Sequence, residues 1–121
     1  VELVQADRHR LAASDAAAKG NAIDSKRAFS WIRENGIKHI AFHLDCDVMD
    51  PHEFYATSFN NPALGPIPYN AATGHMKRAS VWDFIEKISK ETDLVGFTIA
   101  EYMPWSAMQM RELMKRTKIF G

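Results

Sequence analysis

The stretch HLDCDVMDP, His43 to Pro51, sets Asp45 and Asp47 one residue apart at the end of an apolar run and follows them with Asp50. Residues two apart on an extended chain project to the same face, which brings these carboxylates to roughly 6–7 Å at the backbone. Two unit charges about 5 Å apart repel by around 3 kcal/mol at an effective dielectric near 20. A proton on one carboxyl or a nearby cation offsets that repulsion, and an all-oxygen donor set favours Mg²⁺, Ca²⁺ or Mn²⁺ over softer metals. A further acidic residue, Glu101, ends the apolar run LVGFTIAE. Open parallel sheets bind ligands just beyond the carboxyl ends of their strands. If the two runs are neighbouring strands, three acidic side chains therefore meet at one rim. Ordinary turn chemistry competes with this reading, because Asp50 precedes Pro51 and Asp47 could serve as a local cap.

The elements that must position these residues follow from periodicity. VELVQA alternates like a strand, and SDAAAKG suggests a short helix from a Ser14 cap to Gly20. DSKRAFSWIRENG is an amphipathic helix capped by Asp24 and ended by Gly36, with Ala28, Trp31, Ile32 and Asn35 on one side. In IKHIAFHLD, Ile40, Phe42 and Leu44 point one way and Ala41, His43 and Asp45 the other. The run is too apolar for a solvated hairpin and reads as a covered parallel strand. From Val48 to about Ala79 no period holds, and four of the five prolines fall there. Structureless loops beyond about 12–15 residues are usually functional or mobile. Ser80 then caps a helix with Trp82, Ile85 and Ile88 at helical spacing, LVGFTIAE is the second buried strand, and a last helix starts at a Ser106 cap after Pro104. Lys115 and Arg116 suit its closing turns. The order β-α-α-β-loop-α-β-α implies a parallel α/β sheet.

A chain of 121 residues is one domain at most, with 1–121 read as a single unit with a modest core. Fifteen basic residues balance fifteen acidic ones, so nothing advertises a nucleic acid or an anionic membrane as partner. No apolar stretch approaches the ~20 residues of a membrane-spanning helix. Cys46 is the single cysteine, which excludes an internal disulfide and suits a reducing compartment, with cytoplasm the expected location. The start at Val1, with a strand-like segment and nothing before it, leads us to expect a piece of a longer protein.

HLDCDVMDP resembles the signature of the ureohydrolase family (arginases, agmatinases and formiminoglutamases), in which an apolar strand delivers Asp-x-Asp and then x-x-Asp-Pro. GHMKRASVWDFIEKI is similar to the family's entry from loop into helix, and DLVGFTIAEYMPW to its last core strand with a Glu and a nearby Pro. Spacing and order agree from about Ile37 onward. The resemblance implies a partly parallel three-layer αβα sheet of the arginase type, of which this chain is the C-terminal part. It implies that Asp45 bridges two Mn²⁺ ions, that Asp47 completes the shell of one, and that Glu101 holds a cationic guanidinium substrate. The implied chemistry is attack of a metal-activated water on the guanidinium carbon. A homo-oligomer acting on a small guanidino or formimino compound is the corresponding expectation. The family's Gly-Gly-Asp-His and Asp-Ala-His-x-Asp segments, which carry its other ligands, are missing from this sequence, so the chain is expected to be inactive alone. The SFNNPALGPIPYNAATGH loop also departs from the family's Thr-Pro and Gly-Gly-Leu pattern, which leaves the substrate open.

Other readings stay beside this one. A haloacid-dehalogenase-type phosphohydrolase would use Asp45 as nucleophile and Asp47 as acid/base, but Met49 stands where that motif wants Thr or Val. A receiver-like domain fits the length and wants its acidic pair earlier. A non-catalytic α/β interaction module is the rival from another class. His43 is expected to be a hydrogen-bonded sheet histidine, Cys46 an inert buried thiol, and Lys115, Arg116 and Lys118 a solvated helix end.

Overall fold

The computed structural model describes residues 25–56, 61–64 and 74–117. The expected strand at Val1 to Ala6, the helix from Ser14 to Gly20, the Asp24 cap and Lys118 lie outside the described residues.

Helix α1, Ser25–Glu34, buries Ala28, Phe29 and Ile32. Asn35, expected on that face, is exposed, and its amide donates to the Trp31 carbonyl at 2.8 Å. Gly36 ends the helix at φ +61, where a side chain would be strained. The amides of Gly36 and Ile37 donate back to the Arg33 and Ile32 carbonyls at 3.1 and 3.0 Å, which satisfies two orphan carbonyls.

Strands β1, His39–Asp45, and β2, Asp93–Ala100, pair in parallel. They are joined through helix α2, Arg78–Glu91, and the chain goes on into helix α3, Ala107–Arg116. Ile40 lies beside Leu94, Phe42 beside Phe97 and Leu44 beside Ile99, with the Phe42 and Phe97 rings stacked at 5.6 Å. The register slips between Ile40 and Ala41, whose partners are Leu94 and Gly96. The residue passed over, Val95, is 63% exposed.

The helices cover the Ile40, Phe42 and Leu44 face. One cluster joins Phe29 and Ile32 of α1 to Phe84 and Ile88 of α2 above Ile40 and Phe42. The other, at the carboxyl end of the strands, joins Leu44 and Cys46 to Trp82 and Ile85 of α2, Met110 and Leu113 of α3, and Met49, Phe54 and Met76. The opposite face exposes Ala41, His43 and Thr98. The chain is therefore mixed α/β with a two-stranded parallel sheet, covered on one face among the described residues.

Three local expectations are corrected. Helix α2 begins at Arg78, so Ser80 falls inside its first turn; its N-cap position is Lys77, and the Arg78 amide instead donates to the Glu53 carboxylate at 2.8 Å. Ser106 holds the N-cap position of α3, but its hydroxyl donates to the Tyr55 carbonyl at 3.0 Å and caps nothing. Arg116 is no solvated end: it pairs with Asp83 and Glu86 of α2 and fastens the two helices together.

Candidate metal and substrate site

The parallel register sets Asp45 beside Ala100, so Glu101 leaves β2 next to the end of β1. Asp45, Asp47 and Glu101 thus share the carboxyl rim of the sheet, as the sequence led us to expect. The route to that closeness is different. The strand stops at Asp45, and Cys46–Val48 form a single 3₁₀ turn. Asp47 is therefore not the next outward residue of an extended chain. Asp45 acts as N-cap of the turn, its carboxylate accepting the Asp47 amide at 3.4 Å.

The electrostatics report the crowding. The Asp47 carboxyl is pushed up to about 6, first by burial, then by hydrogen bonding to and repulsion from Asp45, and by the charge of Glu101. The Cys46 thiol, fully buried on the core side of the turn, is pushed up to about 12 by burial and by the same three carboxylates. A thiol so suppressed is no nucleophile. Ellman's reagent is expected to leave it unmodified at pH 8 in the folded chain and to modify it fully in denaturant.

Glu101 itself has φ +53, the left-handed region that disfavours a side chain. Such strain, of order 1–3 kcal/mol, is found at functional sites more than elsewhere. His43 stays out of the cluster, with Nδ1 at 2.7 Å from the Thr98 hydroxyl on the open face of the sheet. Asp50 is held by local turn chemistry: its carboxylate accepts the His52 amide at 2.8 Å and lies 2.9 Å from His52 Nδ1, which lowers its pKa.

Among the described residues no group of three or more His, Cys, Asp and Glu side chains is disposed to hold a metal ion. What the rim offers is all-oxygen and partial, with charge that burial and repulsion leave uncompensated. A cleft of about 510 Å³ opens elsewhere, lined by His52, Glu53, Tyr55, Arg78, Ala79 and Gln109; Asp45, Asp47 and Glu101 do not line it. Sequence reading also missed the segment that braces the turn, Gly74 to Met76, whose amides at Gly74 and Met76 donate to the Asp47 and Val48 carbonyls at 2.8 and 3.2 Å. The glycine in ATGHM was its one sequence signal.

The chain matches no protein-family model and no curated protein.

Proposed function

We infer that the chain is the C-terminal part of a manganese-dependent ureohydrolase-like enzyme, with an arginase-type αβα sheet, and that Asp45, Asp47 and Glu101 are its contribution to the active site. The observation that carries this reading is the register of β1 on β2, which gathers Asp45, Asp47 and Glu101 at one sheet rim and leaves the Asp47 carboxyl short of a counter-charge. The resemblance of HLDCDVMDP and DLVGFTIAEYMPW to the family supplies the chemistry.

The two aspartates would supply part of a binuclear Mn²⁺ shell, and the remaining ligands come from outside this chain. Manganese, when bound, contributes Lewis acidity and an activated water at neutral pH. The rest is the work of the chain's own groups. Asp45 and Asp47 present hard oxygen donors from a braced turn. Glu101 meets a cationic guanidinium as a counter-charge, and the fixed backbone at β2's end sets where that cation sits. On this reading the enzyme is cytoplasmic and oligomeric and releases urea or, from a formimino compound, formamide.

The exposure of Ala41, His43 and Thr98 on one face of the sheet favours a second reading, a non-catalytic α/β module that binds a partner. An activity screen separates the two. The parent protein, supplied with Mn²⁺ and offered arginine, agmatine, guanidinobutyrate and formiminoglutamate, is expected to release urea or formamide from one of them. Glu101→Ala should lower that turnover at least about a hundredfold, the scale of losing one preorganised charged contact, while metal content stays within twofold of the unaltered protein. No turnover of any of the four supports the module.

A further inference from the structure

Two of the contacts that close the turn presenting Asp47 are long. The Asp47 amide reaches the Asp45 carboxylate at 3.4 Å, and the Met49 amide reaches the Cys46 carbonyl at 3.3 Å. Both are longer than an ordinary N–H···O bond. The first also draws on a carboxylate whose lone pairs a cation would claim. A further restraint comes from the far side of the loop. Gly74 donates to the Asp47 carbonyl at 2.8 Å, Asp50 donates to the Met76 carbonyl at 2.9 Å, and Met76 donates to the Val48 carbonyl at 3.2 Å, with Met49 and Met76 bridged in parallel.

The approach is close enough to dictate the residue. A Cβ on Gly74 would stand 1.8 Å from the Val48 carbonyl oxygen, 2.2 Å from its carbon and 2.6 Å from the Val48 Cα. All three are backbone atoms, so no rotamer change relieves the clash. Any side chain at position 74 must push this segment off the turn.

We propose that Gly74 is a positioning residue for Asp47: its backbone clasp fixes the turn so that the Asp45 and Asp47 carboxylates are free to face a cation. This rests on the reading of those aspartates as metal ligands. Removing the clasp should cost metal affinity beyond what it costs in folding, because the bond lost is the one that ties the Asp47 carbonyl itself to the opposite segment.

The test uses the 121-residue chain and Mn²⁺ alone, read by paramagnetic broadening of backbone amides, which detects weak binding. Gly74→Ala introduces the clash and is expected to unfold the rim. The cleaner variant replaces the Gly74 amide by an ester, which deletes the N–H donor without adding an atom. An ester at Thr92, whose amide donates to the Ile88 carbonyl at 2.9 Å at the far end of α2, serves as the control. Both ester variants should fold and lose a similar few degrees of thermal midpoint. The Gly74 ester should weaken Mn²⁺ binding at Asp45 to Val48 about tenfold, the scale of losing a ligand's supporting contact, and the Thr92 ester should leave it unchanged. Equal affinities in the two ester variants, or loss of the fold in the Gly74 ester, overturn the positioning role; if Asp47→Ala still abolishes binding, the metal reading itself stands. Mn²⁺ broadening that is absent from the unaltered chain, or that survives Asp47→Ala, overturns the metal reading and this proposal with it.

Discussion

Asp47→Asn is expected to stabilise the fold at pH 7.5 and to weaken Mn²⁺ binding at least about a hundredfold, more than outer-shell changes usually cost. The two effects share one cause. In the folded chain the carboxyl is pushed up to about 6 from an ordinary value of 3.8, so the folded state holds this proton more tightly than the unfolded state does. The stability that follows is fully present below pH 3.8 and is lost as pH rises through about 6. Above that the ionised group opposes folding, through burial and through Asp45 and Glu101. Asparagine removes the charge and with it the dependence. Thermal midpoints from pH 4 to 8 should fall for the unaltered chain relative to the variant, and the gap should be widest above pH 6. Saturating Mn²⁺ should raise the midpoint of the unaltered chain at pH 7.5 by mass action and leave the variant where it was. A variant no more stable than the parent at pH 7.5 would mean that the rim carries no unrelieved charge.

The second large effect lies in the core. Trp82 is 1% exposed and meets Phe54 edge to face at 5.8 Å, linking α2 to the loop that follows β1. Trp82→Ala should cost about 3–5 kcal/mol, as aromatic truncations in cores do. That is a large part of the ~5–15 kcal/mol that holds a domain together. Trp82→Phe should cost far less than its lost volume suggests. Among the described residues the indole Nε1 is buried without a hydrogen-bond partner, and such an orphan carries a penalty of about 1–3 kcal/mol that phenylalanine removes. Urea unfolding of both variants measures the difference. A phenylalanine variant as damaged as the alanine one would show that shape at this position outweighs the orphaned donor.

Much of this arrangement was legible in the sequence because periodicity is local. The alternation of Ile40, Phe42 and Leu44 against His43 and Asp45 identified β1, its counterpart identified β2, and the spacing of Trp82, Ile85 and Ile88 identified the buried stripe of α2. Adjacency of the strands then brought Glu101 to the aspartates. Cys46 lies in the core as its alternation suggested, although the turn, and not an extended strand, puts it there. What stayed illegible depends on residues far apart in the chain. Ser80 looked like a helix cap, yet the donor at the start of α2 is served by Glu53, 25 residues earlier. Ser106 looked like another, yet its hydroxyl and the Trp105 indole both go to the Tyr55 carbonyl. The slip that strands Val95, the pairing of Arg116 with α2 and the clasp at Gly74 are likewise contacts between segments that no periodicity announces.

The aspartate pair shows the difference most plainly. Spacing of two suggested outward projection along one extended strand, whereas the chain turns at Asp45 and uses that residue as a cap. The carboxylates are close for a different geometric reason, and this gives the site a brace that a bare strand end would lack.

Whether Asp45, Asp47 and Glu101 share a divalent ion is read by titrating the isotopically labelled chain with Mn²⁺ at pH 7.5 and following which amides broaden. Selective broadening is expected at Asp45 to Val48 and at Glu101, lost in Asp45→Ala and in Asp47→Ala. Broadening that is uniform over the acidic surface, or that persists in both variants, would mean that these carboxylates hold no shared ion.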